Sequence, residues 1–461
     1  MVINMRHPRI MIAAPKSGSG KTLLTCALLQ ALKNRGKQVI ACKCGPDYID
    51  PMFHKKVIGV ASKNLDTFFT DEQMTRALLT NGREENDMVV MEGVMGLFDG
   101  LGGIREEGSS YHLAKITKTP IILVVDVKGM GRSVIPLLAG FLKYDTEQLI
   151  QGVILNRMSK SYYEILKPLM EQELGITVLG FFPEQKELCL ESRHLGLKLP
   201  NEVENLREQV ELAAEKFEAT VAIEKLIEIA KEAYGLAKET DVSMKLVTEE
   251  KPVIAVARDE VFCFYYEENL AMLEQLGARL EFFSPLHDKE LPEICHGLLL
   301  GGGYPELTVK ALSQNQKMRV SIRNAIQNGM PSVAECGGFM YLHESIAEDE
   351  GIEYPMTGAI QASCKNTGKL VRFGYIEITD KQGFFLPVGD KIRAHEFHYY
   401  DSTNNGEACV ATKPVTGKQY PCVIAGENHW WGFPHLYYPS NPAFARHFVE
   451  ETVKYKNRDE R

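Results

Sequence analysis

The chain has 461 residues, 44% hydrophobic and 25% charged, which suits two or three packed cores and excludes wholesale disorder. Lys and Arg total 52 against 61 Asp and Glu, a net charge of -9, so no basic surplus argues for nucleic acid as a partner. The apolar runs are short and interrupted, no bilayer span is predicted, and the first residues, MVINMRHPRIMIAAP, do not read as a signal peptide. The ten cysteines are scattered without a staple-like pattern, and Cys42-Lys-Cys44 is the single tight pair. Reduced, mostly buried thiols in a cytoplasmic protein are expected.

The first half alternates brief β-branched runs with helical patterns. Arg9–Ala14, Gln38–Cys42, Asp87–Met91, Pro120–Asp126 and Gln151–Asn156 read as buried parallel strands. Leu23 to Arg35 has helical spacing and stops at Gly36, as a glycine-capped helix does. Repeated strand and helix predicts a doubly wound sheet.

Lys16-Ser-Gly-Ser-Gly-Lys-Thr22 lies between the first strand and the first helix, where backbone N–H groups converge on an anion. Gly18 and Gly20 let the backbone approach phosphate, Lys21 reaches the β- and γ-phosphates of ATP, and the Thr22 hydroxyl ligates Mg²⁺. Pro15 replaces the usual first glycine, and Lys16 makes a K-x-G-x-G-K-T string. That string resembles the deviant phosphate loop of the dethiobiotin synthetase and MinD-like ATPases. The bland alternative is a Gly/Ser-rich turn. Asp47, Asp50, Glu92 and Asp99 follow other strands at the same sheet edge, where carboxylates would hold Mg²⁺ or simply cap helices. Asp126 could merely cap a helix, and Asn156-Arg157 stands either at a base-contacting position or in a structural turn.

Lys43-Cys-Gly-Pro-Asp-Tyr-Ile-Asp-Pro-Met-Phe-His54, Asn64-Leu-Asp66, Met91-Glu-Gly-Val-Met-Gly-Leu-Phe-Asp-Gly100 and Leu123-Val-Val-Asp126 together resemble the N-terminal domain of the cobyrinic acid a,c-diamide synthase family. The resemblance implies ATP-dependent activation of carboxylates on a corrin or related tetrapyrrole. It implies Thr22, Asp47 and Glu92 at the metal and Tyr48, Asp50 and Asp99 toward the substrate. Lys16, Gly18, Gly20, Lys21, Thr22 and Asn156 would hold the nucleotide. The loop type also leaves open a homodimer in which Lys16 acts across the subunit boundary.

From Asn201 to Glu250 the chain becomes Glu/Lys-rich and helical to Gly235, and Lys238–Lys251 reads as an exposed linker. Pro252–Ala257, Arg279–Phe283, Gly297–Gly301 and Pro331–Cys336 then predict a second α/β domain, with a helix over Asn269–Leu276. The expected division is 1–237, linker 238–251, and 252–461. Ala334-Glu-Cys-Gly-Gly338 follows a strand and precedes a helical run, an elbow that exposes a nucleophile and aims it at a helix N-terminus expected to lower the thiol pKa. His435 is the expected base, and Gly302, Gly303 and Gly337 the expected oxyanion donors. Taken singly, Cys336 and His435 also read as a buried thiol and a loop histidine.

This half resembles a class I glutamine amidotransferase domain of the cobyrinate and cobyrate type. Two departures stand out: Ala334 at the elbow, where many members have Gly, and no Glu after His435 in a His-Pro-Glu string, the sequence there reading His-Leu-Tyr-Tyr-Pro-Ser-Asn-Pro. What orients the imidazole stays open; Glu396, in His395-Glu-Phe-His398, could support it, with a structural carboxylate the favoured reading. The implied chemistry couples an acyl phosphate, made with ATP in the front domain, to ammonia released from glutamine in the rear one. The implied partners are ATP, glutamine and cobyrinic acid, with Mg²⁺ as cofactor and no membrane. The competing readings are a,c-diamidation of nickel-sirohydrochlorin or hydrogenobyrinate, and a ParA/MinD-like ATPase carrying an inactive glutaminase-like module.

Overall fold

Five residues, Arg9–Ala13, form strand β1, and all five are buried because both faces of the strand are covered. In the computed structural model, which describes residues 4–5, 7–80, 87–185, 188, 192–193, 196–197, 205–237, 245–348 and 351–459, the chain splits into Met1–Val242 and Ser243–Arg461. In the first unit β1 is joined by β2 (Val39–Cys44), β3 (Ala61–Leu65), β4 (Met88–Glu92), β5 (Ile121–Asp126), β6 (Ile150–Asn156) and β7 (Thr177–Phe182). They pair in the order β3-β2-β4-β1-β5-β6-β7, all parallel, in the doubly wound manner expected. Strands β3 and β7 had no counterpart in the sequence reading. β3 reads Ala-Ser-Lys-Asn-Leu, too polar to stand out, because it is an edge strand with an exposed first residue.

Helix α1 spans Lys21–Asn34, starting two residues earlier than its apolar periodicity suggests. Gly36, at φ 69°, terminates it in the left-handed region and donates its N–H to the Lys33 carbonyl. Almost the whole circumference of α1 is buried, since Leu206–Thr220 packs on the side away from the sheet. Ion pairs of Arg35 with Glu218 and Glu224 tie the end of α1 to that helical region.

In the second unit β8 (Val253–Ala257), β9 (Arg279–Phe283), β10 (Gly297–Leu300), β11 (Ser332–Glu335), β12 (Ile424–Gly426) and β13 (His429–Gly432) form a sheet ordered β9-β8-β10-β11-β13-β12. It is parallel except for β12. A five-stranded antiparallel sheet, not anticipated from sequence, contains Arg372–Asp380, Lys391–His398, Cys409–Thr412, Gln419–Cys422 and His435–Leu436. Its inward residues, among them Ile376, Ile378, Ile392 and Ala394, share one core with Ile254, Val256 and Leu299 of the first sheet. Residues 238–244 of the expected linker lie outside the described residues. The rest, 245–251, has no helix or strand, yet it is not free-standing. Val247 donates to Leu276, and the Lys245 and Glu250 carbonyls accept from Arg446 and Lys456.

Candidate active sites of the two units

The end of β1 runs into the loop Pro15–Gly20. Gly18 and Gly20 have φ of 74° and 92°, a region that side chains disfavour. At Gly20 space adds a second requirement: a Cβ there would lie 2.2 Å from Asn156 Nδ2. Asn156 is buried at the end of β6 and donates to the Ser19 carbonyl at 2.8 Å. Arg157, ion-paired with Asp126, donates to the Gly18 carbonyl at 3.4 Å. This asparagine and its neighbour therefore clamp the loop from the adjacent strand. Lys16 is exposed, while Lys21 is buried and donates to the Met95 carbonyl. Burial, and then Lys43, push Lys21 down to about 8 against the pull of Glu92, Asp99 and Asp50.

Beneath the loop lies a cluster of buried charges. Thr22 Oγ1 donates to Glu92 Oε1 at 2.6 Å, and Lys43 Nζ donates to the same oxygen at 2.8 Å. Lys43 also pairs with Asp50, and His54 Nε2 is 3.5 Å from Glu92 Oε2 with its other nitrogen 3.1 Å from Ser62 Oγ. Burial alone would raise Glu92, but Lys43 and His54 outweigh it and hold the carboxyl well below its ordinary range. Burial would lower Lys43, yet Asp50 and Glu92 hold its ammonium well above its ordinary value. Asp50, expected toward the substrate, is thus 3% exposed and engaged by Lys43. Asp47 Oδ1 accepts from the Ile49 and Asp50 amides, capping the short helix Ile49–Phe53, and burial followed by the Asp50 charge raises it to about 7. Tyr48 is half-buried beside it, and Asp99, also half-buried, accepts from the Gly96 amide at 3.0 Å.

Lys43 and His54 received no role from sequence. The available signal was a lysine inside a strand whose neighbours are all buried, a place where an ammonium needs carboxylate partners. The oxygen set around Thr22 fits Mg²⁺. It offers a hydroxyl and a carboxylate 2.6 Å apart, and Glu92 Oε2 is buried without a hydrogen-bond partner among the described residues.

In the second unit β11 delivers Cys336 at φ 47°, ψ -105°, a strained conformation for a residue with a Cβ, and the helix Gly337–Leu342 begins at once. The Cys336 amide donates to Gly432 at 2.9 Å and the Gly338 amide to Gly301 at 2.9 Å, pinning the elbow between its neighbours. A Cβ on Gly337 would meet Pro305 Cδ at 2.8 Å and Gly303 N at 3.1 Å, and one on Gly302 would meet His435 Cε1 at 2.3 Å. Gly302, Gly303, Gly337 and His435 are therefore gathered around the elbow by backbone approaches that only glycine allows. Tyr265 accepts from the Gly301 amide at 2.8 Å and donates to Ala257, fixing the run.

The electrostatics correct one expectation. Burial pushes the Cys336 thiol well up, with only the Gly337 amide opposing it, so the six-residue helix does not produce a resting thiolate. Burial, then His398, takes His435 down to about 3, and Glu335 is taken up to about 8 by burial against a hydrogen bond from the Leu436 amide. Both are buried, and Glu335 Oε2 lies 3.9 Å from His435 Nδ1. Glu396 accepts from the Tyr420 hydroxyl and lies 3.9 Å from Lys413 Nζ.

Two family models match the chain. Residues 10–197 match the CobQ/CobB/MinD/ParA nucleotide binding domain and residues 253–432 the CobB/CobQ-like glutamine amidotransferase domain. A cobyrinate a,c-diamide synthase of Listeria innocua is 40% identical over 94% of this chain and 97% of its own length. The chain belongs to the cobyrinate a,c-diamide synthase family. Members from Caldanaerobacter subterraneus, 39% identical over 92% of this chain and 94% of that one, and Thermoplasma volcanium, 38% over 99% and 100%, match as fully. Membership makes this chain a nucleotide-binding, glutamine-dependent ligase built from two α/β domains. No described helix is long and apolar enough to cross a membrane.

Proposed function

We propose that this chain amidates the a- and c-carboxylates of cobyrinic acid in cobalamin biosynthesis, using ATP and glutamine. The observation that carries the reading is the pairing, on one chain, of a clamped phosphate loop with a strained cysteine elbow. Relatives that match this chain along nine-tenths of their length or more are cobyrinate a,c-diamide synthases.

Oxide is a poor leaving group, so a carboxylate must first become an acyl phosphate. Gly18, Gly20 and Lys21 hold the ATP phosphates, and Lys21 stabilises charge on the transferred phosphoryl group. Thr22, Asp47 and Glu92 would hold Mg²⁺, which neutralises phosphate charge when bound. Asn156 keeps the loop in place through Ser19, and Lys43 keeps Glu92 ionised. Tyr48 and Asp99 contact the macrocycle, and Asp50 acts through Lys43. In the rear domain His435 takes the proton of Cys336 as Sγ attacks the glutamine amide carbon. Gly302, Gly303 and Gly337 receive the oxyanion, the imidazolium returns the proton to the amide nitrogen, and ammonia departs to leave a thioester that water hydrolyses. Ammonia attacks the acyl phosphate and phosphate departs.

The test is mass-spectrometric product analysis with purified chain, ATP, Mg²⁺, glutamine and, in parallel, cobyrinic acid, hydrogenobyrinic acid and nickel-sirohydrochlorin. A diamide from cobyrinic acid at the highest kcat/KM is expected; preference for another macrocycle would transfer the assignment to it. Cys336→Ser should abolish glutamine use and leave ammonium salts active. ATP hydrolysis indifferent to glutamine and to Cys336→Ser would instead indicate an ATPase with an inactive rear module.

A further inference from the structure

The string that begins at His435, His-Leu-Tyr-Tyr-Pro-Ser-Asn-Pro, carries no acid, and Glu396, the other candidate, is occupied by Tyr420 and Lys413. We propose that Glu335, the residue immediately before the nucleophile, is the acid that orients His435 for glutamine cleavage. The inference deepens the glutaminase reading and rests on it.

The geometry supports the role from both sides of the pair. Glu335 is the last residue of β11, in register with Gly432 of β13, so its strand leads directly into the elbow. Its Oε2 faces His435 Nδ1 at 3.9 Å, and Oε1 is buried without a hydrogen-bond partner among the described residues. The Leu436 amide, next after the histidine, favours the ionised form of the same carboxyl. The gap exceeds a hydrogen bond by about 1 Å, and catalytic hydrogen bonds are often long before substrate binds. A Cβ on Gly302 would stand 2.3 Å from Cε1 and 3.1 Å from Nδ1, so the glycine run packs closely against the same ring and limits its movement. Once closed, the contact fixes the proton on Nδ1, leaves Nε2 to accept from the thiol, and stabilises the imidazolium that results. Glu335 is a positioning residue: it touches neither glutamine nor Cys336 Sγ in this scheme.

The charged form is the one that positions the ring, and burial holds Glu335 near 8, so glutamine turnover should rise with pH through about 8. Tyr265 and Tyr438 feel the Glu335 charge, while His395 and His398 lie near His435; all four are neutral across this range, the tyrosines raised and the histidines lowered by burial.

The experiment measures kcat/KM for glutamine against pH in the full chain, with ammonium-driven synthesis and thermal unfolding as controls. Glu335→Gln should lose about 10- to 100-fold in glutamine turnover, lack the acidic limb, and keep ammonium-driven synthesis. Glu335→Asp, which retains the charge, should retain a limb. Glu335→Gln with turnover within twofold of the parent, or with the limb intact, overturns the assignment. Should Glu335→Gln fail to fold, a folded Glu335→Asp without the limb overturns it equally. If Cys336→Ser still uses glutamine, the glutaminase reading fails and this inference with it; if only Glu335→Gln behaves as the parent, this inference fails alone.

Discussion

Lys43 and Glu92 meet 2.8 Å apart in a fully enclosed site, and the oxygen they share also accepts from Thr22 of the phosphate loop. An ammonium between two buried carboxylates is stabilising only while all three charges are present. Lys43→Met leaves Asp50 and Glu92 facing each other without compensation. A loss of about 3–5 kcal/mol is expected, read as a lower Tm of the ATP-binding domain. The same variant should also lose ATP-dependent synthesis, since a protonated Glu92 offers a cation a weaker ligand. Unchanged Tm would show that the cluster is not ionised as drawn.

Lys21 links nucleotide binding to pH. Burial, and then Lys43, hold it at about 8, and phosphate charge must raise it again. Between those two values the complex holds a proton that the free protein lacks. Binding therefore takes up a proton, and ATP affinity falls as pH rises above 8, by up to about tenfold per unit. Calorimetry at pH 9 in two buffers of different ionisation enthalpy measures the uptake, which should vanish in Lys21→Ala. Equal heats in the two buffers would place the lysine in a wetter site.

Asn156 separates loop geometry from contact with the nucleotide. Asn156→Ala removes the 2.8 Å bond to Ser19 and with it about 0.5–1.5 kcal/mol of loop ordering. The KM for ATP should rise several-fold while kcat for glutamine hydrolysis stays. Gly20→Ala should be far worse, because it needs both a left-handed alanine and the displacement of Asn156. If discrimination between ATP and GTP changes in Asn156→Ala, the side chain reads the base after all.

Much of this was legible in the residues. The strands of the parallel sheets are short apolar runs, and Gly36 ends α1 where a positive φ is needed. The loop Lys16–Thr22 and the elbow at Cys336 each carry glycines at fixed offsets, so local geometry is written locally. Lys43, His54 and Glu335 were not legible for a common reason. Each is a polar residue with a partner far along the chain or on another strand, and only the fold supplies the distance. The thiol of Cys336 misled in the opposite way: a helix start suggests a thiolate, but burial depends on everything packed above the elbow. The antiparallel sheet that carries His435 was hidden because its strands alternate buried and partly exposed residues and two of them are interrupted, by Gly374 and by Pro421.

Gly302 gives the sharpest mutational probe of the rear site, because its conformation is open to alanine while its surroundings are not. A methyl group there would stand 2.3 Å from His435 Cε1, so the imidazole must swing or the glycine run must retreat from the elbow. Overpacking of this kind costs about 1–3 kcal/mol of stability, tolerable for a domain with the cores seen here. Catalysis is less forgiving, since a displacement of about 1 Å in a catalytic group costs on the order of 100-fold. Gly302→Ala should therefore lose glutamine-driven synthesis by about that factor and keep ammonium-driven synthesis, while its Tm falls by only a few degrees. Parental glutamine kinetics in Gly302→Ala would mean that His435 can leave its present position without consequence, and the base would have to be sought elsewhere.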